Sequence, residues 1–154
     1  RCSKVIMPTE VAGSSRLADE SDFEILVNWR REFKREALPH EKTERAQLEK
    51  EANDAIIKKD TYIWVVNDIP VSCAQVRRPT ARTMAVSYVY TPKEHRKKGF
   101  ASAITAQATQ NILKSGKTYG VLYTDAANST SNHIYQKLGY EYVADQSFFG
   151  FEKV

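Results

Sequence analysis

The 154-residue sequence contains only two cysteines, Cys2 and Cys73, and no CxxC pair. That excludes a disulfide framework and a cysteine-rich zinc site. Cys73 lies in an apolar stretch and reads as a buried thiol, at home in a reducing cytoplasm. The three histidines, His40, His95 and His133, lack the paired spacing of zinc ligands, so no metal is expected. No apolar run approaches the roughly 18 residues that cross a membrane. The opening RCSKVIMP has no signal-peptide pattern. The phosphate-loop pattern, GxxxxGK followed by Ser or Thr, is missing. No long basic face with interleaved aromatics marks a nucleic-acid module, so neither nucleic acid nor membrane is expected as a partner.

What is present is ordinary for a globular chain: 42% hydrophobic and 27% charged residues, which excludes disorder and a fibrous protein. The net charge of +4 allows an anionic ligand without requiring nucleic acid. The length fits one domain, burying about 68–70% of its unfolded surface. Residues 1–15 read as a linker or N-terminal strand continuing from a longer protein, and residues 16–154 as the domain.

Within that domain, Ser21 and Glu24 fit a capping box, and Leu26, Trp29, Phe33 and Ala37 follow at helical spacing until Pro39. A second helix is expected from about Thr43 to Lys59. The period then changes. Tyr62–Val66, Val71–Arg78 and Met84–Thr91 read as an antiparallel meander, separated by turns. A helix from about Lys98 to Lys114 ends near Gly116. A strand at Tyr119–Thr124 should lie parallel to its predecessor, because a helix joins them. A short helix at Asn128–Gly139 and two strands, Tyr140–Asp145 and Ser147–Val154, complete the order. Lys4–Met7 is a further candidate strand.

The stretch YTPKEHRKKGFAS, Tyr90–Ser102, carries the first chemical signal. Arg96, Lys97 and Lys98 precede Gly99 at a helix start. A helix N-terminus offers free N–H groups and about half a positive charge, and a glycine lets an anion approach the backbone. On this segment alone, a solvated basic helix start is the favoured reading. The second signal is NSTSNHIYQKLGY, which puts Asn128, Ser131 and Tyr135 on one helical face, followed by Gly139 and Tyr140.

Together, Arg96-x-x-Gly99-x-Ala101 after one strand and Asn128-x6-Tyr135-x3-Gly139-Tyr140 after the next resemble the two signature segments of the GNAT superfamily of acetyl-CoA-dependent N-acetyltransferases. The similarity is greatest to its FR47-like branch and covers about Thr83–Tyr142. The resemblance implies an α+β GNAT fold: a twisted, mostly antiparallel sheet of about six to seven strands with one splayed parallel pair, flanked by four helices. It implies acetyl-CoA as cosubstrate and an amine on a small molecule or peptide as acceptor, in a monomer or homodimer. A noncatalytic acyl-CoA sensor is the alternative.

By the same resemblance, backbone from Lys97, Lys98, Gly99, Phe100, Ala101 and Ser102 cradles the pyrophosphate beside Arg96. Val89, Tyr90 and Thr91 pair with the pantetheine arm. Asn128, with Ser131 and Asn132 on the same helix, contacts the pantetheine or positions the thioester. Tyr135 protonates the departing thiolate, whose acid form titrates near the ordinary cysteine value of about 8.5. Taken alone, Tyr135 reads rather as a packing tyrosine, and Asn128 as a helix cap, a role compatible with the ligand contact. The base is sought on helix 1 and its following loop, among Glu32, Glu36 and His40, with Glu36 preferred; Asp125 is a further candidate. A backbone N–H near Tyr90 or Thr91 is the expected oxyanion donor.

Overall fold

The computed structural model describes residues 1–37, 43–125 and 127–145. Pro39, His40 and the expected last strand, residues 147–154, lie outside the described residues. Five strands form one sheet in the order β1-β2-β3-β4-β5: β1 Ser14–Leu17, β2 Thr61–Val66, β3 Ile69–Arg77, β4 Thr83–Tyr90 and β5 Tyr119–Val121. Among the described residues, four α-helices accompany them: α1 Phe23–Ala37, α2 Arg45–Lys58, α3 Phe100–Lys114 and α4 Ser129–Lys137. This is the mixed α+β GNAT-like architecture, with five strands among the described residues in place of the expected six to seven.

The meander forms because alternating apolar residues feed both faces of the sheet. Cys73 on β3 packs with Leu26, Trp29, Leu48 and Ile63 beneath α1 and α2. Its neighbour Ala74 points the other way, to Val86, Phe100, Ile104 and Ile112 beneath α3. One residue of slip would exchange the two cores, so register is strongly specified. Asn67 and Asp68, at φ 48° and 63°, close the β2–β3 hairpin with the paired left-handed conformations that suit the strand twist.

Three local expectations are corrected. Lys4–Met7 forms no strand; instead Cys2 makes an isolated antiparallel bridge to Gly120 on β5. The added strand is β1, whose SSRL sequence has little strand character and is held by antiparallel pairing with β2. Tyr140–Asp145 forms no strand either. Tyr140 instead closes a third core cluster with Cys2, Ala106 and Leu138. The capping box ahead of α1 is Asp19 with Asp22, around a 3-10 turn at Glu20–Asp22, two residues before the expected Ser21 and Glu24. An acceptor at Asp19 is stronger because it also receives the Ser21 hydroxyl, at 2.5 Å.

Residues 1–13 pack against the domain. The Ile6 amide donates to the Leu138 carbonyl at 3.0 Å. The Trp64 indole N–H donates to the Ala12 carbonyl at 2.8 Å.

Candidate functional site

The β4–β5 pair is short. The strands are registered in parallel only through Thr83–Tyr119, Met84–Gly120 and Ala85–Val121. Beyond these β4 runs on to Tyr90 while β5 stops, so the β4 edge facing β5 is left open over its last residues. A register shift between Cys73 and Gln75 accompanies this on the other edge, where Tyr88 sits at φ 46°. A bulky residue in that region is costly and signals a bulge that turns the strand end.

Arg96 to Gly99 then lead into α3. Gly99 is the N-cap at φ 81°, with Lys97 at φ 62°. The first amide of α3 with a backbone acceptor is that of Ala103, bonded to the Gly99 carbonyl at 3.0 Å. Among the described residues, the amides of Lys97, Lys98, Gly99, Phe100, Ala101 and Ser102 have no backbone acceptor. Phe100 is buried and fastens the turn to the α3 core. Lys98 donates to the Glu94 carbonyl at 3.2 Å, so its ammonium lies back along the turn.

The Arg96 side chain lies elsewhere than on those amides. Its Nε–H donates to the Thr91 carbonyl at 2.9 Å. One terminal nitrogen donates to both oxygens of Glu36, at 3.0 and 2.8 Å. The guanidinium also stands 5.9 Å from the Tyr90 ring centre. The structure thus joins two residues to which sequence reasoning gave separate jobs. Thr91 is itself buried and shares a 2.8 Å hydrogen bond with Ser72, whose hydroxyl also donates to the Tyr90 carbonyl.

Tyr90 packs its ring on Trp29 and Phe33. Burial first, then the Glu36 carboxylate, pushes its phenol above the ordinary value. Val89 is partly buried against the α3 core. On the α1 side lies a polar group that no sequence signal indicated. Arg30 is 3% exposed, 3.6 Å from Glu51, 3.4 Å from Gln75 and stacked 4.5 Å over the Tyr88 ring. Among the described residues, Arg30 Nε and the Tyr88 hydroxyl are buried without a partner. An arginine on a core-facing helix stripe reads from sequence as exposed; only its partners on α2 and β3 explain its burial.

The second motif is assembled on α4. Asn128 is the N-cap, its Oδ1 accepting from the Ser131 amide at 3.0 Å. Asn132 donates through its side chain to the Asp125 carbonyl at 3.1 Å, and Asp125 accepts from the Ala127 amide. The motif therefore first shapes the loop between β5 and α4. Tyr135 packs edge-on against Tyr140, ring centres 6.1 Å apart, and partial burial alone raises its phenol's pKa. A separate cavity of about 650 Å³ lies at the opposite strand ends, bounded by Lys58, Tyr62, Arg77, Met84 and Ile112. It includes no residue of either motif.

The FR47-like protein family model matches residues 73–149, half of the chain, and includes both motifs. The chain belongs to the FR47-like family. This is the family whose signature segments the two motifs resemble. Solved structures agree on the fold. A possible acetyltransferase from Clostridium difficile 630 is 17% identical, with a TM-score of 0.67 over 92% of this chain and 97% of that one. An aminoglycoside N-acetyltransferase, AAC(6')-Iy, solved with CoA, is 13% identical, with a TM-score of 0.73 over 95% and 99%. A predicted acetyltransferase with acetyl-CoA from Clostridium acetobutylicum is 16% identical, with a TM-score of 0.67 over 89% and 95%. At such identities the likeness is one of fold. No curated protein sequence matches. Among the described residues, no helix is long and apolar enough to cross a membrane.

Proposed function

We propose that this FR47-like chain moves an acetyl group from acetyl-CoA to a primary amine of a small molecule or peptide. The observation that carries the reading is the conjunction of an open β4 edge with a glycine-capped helix start whose amides are unclaimed. An extended chain of amide groups can pair with such an edge as an added strand. A pyrophosphate suits the α3 amides, because backbone donors and helix dipole act on it together. Acetyl-CoA brings the activated thioester. Val89, Tyr90 and Thr91 would hold its pantetheine, Lys97 to Ser102 its pyrophosphate, and Asn128, Ser131 and Asn132 would shape the wall of the cleft. Arg96 supports the turn from behind.

In this reading the Tyr135 hydroxyl delivers a proton to the leaving sulfur. Its raised pKa keeps that proton in place through neutral pH. Glu36 can serve as base for the amine only by releasing Arg96.

The decisive experiment is a thiol-release assay with acetyl-CoA across amines, polyamines, aminoglycosides, amino acids and peptides. Amine-dependent release with a mass gain of one acetyl group on the amine is expected. Acetyl-CoA binding without transfer to any amine would instead identify a noncatalytic acyl-CoA sensor. Duplex or single-stranded nucleic acid that binds with a steep salt slope, unopposed by acetyl-CoA, would replace both readings.

A further inference from the structure

Arg96 sits between two constraints. Upstream is Thr91, at the end of β4; downstream are Lys97 at φ 62° and Gly99 at φ 81°. Lys97, a non-glycine residue in the left-handed region, carries a conformational cost, and such a turn persists only when its surroundings fix it. The fixing groups are visible. Arg96 Nε ties the Thr91 carbonyl, and Ser72 ties the Thr91 hydroxyl and the Tyr90 carbonyl. Glu36, sixty positions earlier on α1, holds the far end of the same guanidinium with both its oxygens. The pair is about one-third exposed, at 38% and 32%, so water screens it only in part.

We infer that Glu36 is a positioning residue for the coenzyme turn: through Arg96 it sets the spacing between the end of β4 and the free amides of α3, and it ties helix α1 to that turn. This inference rests on the coenzyme reading above and departs from the role of base. A planar guanidinium is required, because one side chain must reach a carbonyl and a carboxylate in fixed directions; a lysine ammonium cannot do both. The turn's amides can then be aligned before any anion arrives, which lowers the entropy cost of binding.

The test measures CoA binding by calorimetry for the unaltered protein, Glu36→Gln, Arg96→Gln, Arg96→Lys and the Glu36→Gln/Arg96→Gln double variant. Glu36→Gln should weaken CoA about three- to tenfold, Arg96→Lys about as much as Arg96→Gln, and the double variant no more than Arg96→Gln alone. Hydrogen exchange at the Lys97–Ser102 amides should quicken in Glu36→Gln while the amides of α2 keep their rates, a pattern that a general loss of stability would not give. Additive effects of the two substitutions, or CoA affinity unchanged in Glu36→Gln, overturn the inference and leave the coenzyme reading standing. Absence of CoA binding by the unaltered protein overturns both.

Discussion

Val11 rests on Gly99: a Cβ built on that glycine would come within 3.0 Å of Val11 Cγ2. A side chain at the cap of α3 would therefore crowd Val11 and, separately, strain the backbone, whose φ is 81°. Gly99→Val should lower CoA affinity more than tenfold. Lys97→Ala and Lys98→Ala should each lower it only about two- to fivefold, since these cations steer an anion that the backbone holds. Titration calorimetry on the three variants checks the order. A lysine variant weaker than Gly99→Val would shift the site from the amides to the side chains.

Tyr135→Phe keeps the ring that packs on Tyr140 and removes only the hydroxyl. Turnover with an accepted amine should fall about a hundredfold, the lower range for a positioned acid. Affinity for acetyl-CoA should stay within about twofold. Turnover equal to that of the unaltered enzyme would take Tyr135 out of the reaction.

Cys73 gives a stability signal at alkaline pH. Complete burial pushes its thiol up to about 12 from the ordinary 9.0. The folded state therefore keeps a proton that the unfolded chain releases. The stabilisation is whole below about pH 9 and is lost as pH rises towards 12. Urea midpoints between pH 8 and 11 should fall with rising pH, and fall less steeply in Cys73→Ala, whose starting stability will be lower because a core atom is gone. Parallel slopes would assign the alkaline loss to the buried tyrosines Tyr88 and Tyr140, which are also raised.

Asn128→Ala removes the cap of α4 and should cost about 1 kcal/mol of stability, whereas Asn128→Asp should cost little. Thermal melts in the absence of coenzyme read this directly. A larger loss of CoA affinity than of stability in Asn128→Ala would add a ligand contact to the cap.

The local features of this chain were readable and the distant ones were not. Helices α1 to α4 and strands β2 to β4 follow from spacing, and the Asn128 cap follows from residue type at a helix start, whereas Gly99 proves to be the cap of a helix expected to begin one residue earlier. Strand β1 did not, because Ser14–Leu17 is a strand only through its pairing with β2 some fifty residues later. No sequence signal marks Arg30, because Glu51 and Gln75 are brought to it only by folding. Glu36 and Arg96 were each noticed, for separate reasons; their union needs α1 laid across the end of β4. The short Lys4–Met7 run was apolar enough for a strand, yet the neighbouring Cys2 took the sheet edge.

The first thirteen residues join the two outermost strands, since Cys2 bridges β5 and Ser14 begins β1. Five strand spacings, four from β1 to β5 and one more out to Cys2, amount to roughly 24 Å. The twelve steps from Cys2 to Ser14 could reach roughly 40 Å if extended. The connection is thus a slack rope, spent on a detour past the start of α3. Its length does not decide where it lies; its moorings do, at Gly120, Leu138, Gly99 and Trp64. Residues added around Pro8–Glu10 would lengthen the rope without pulling on either edge of the sheet.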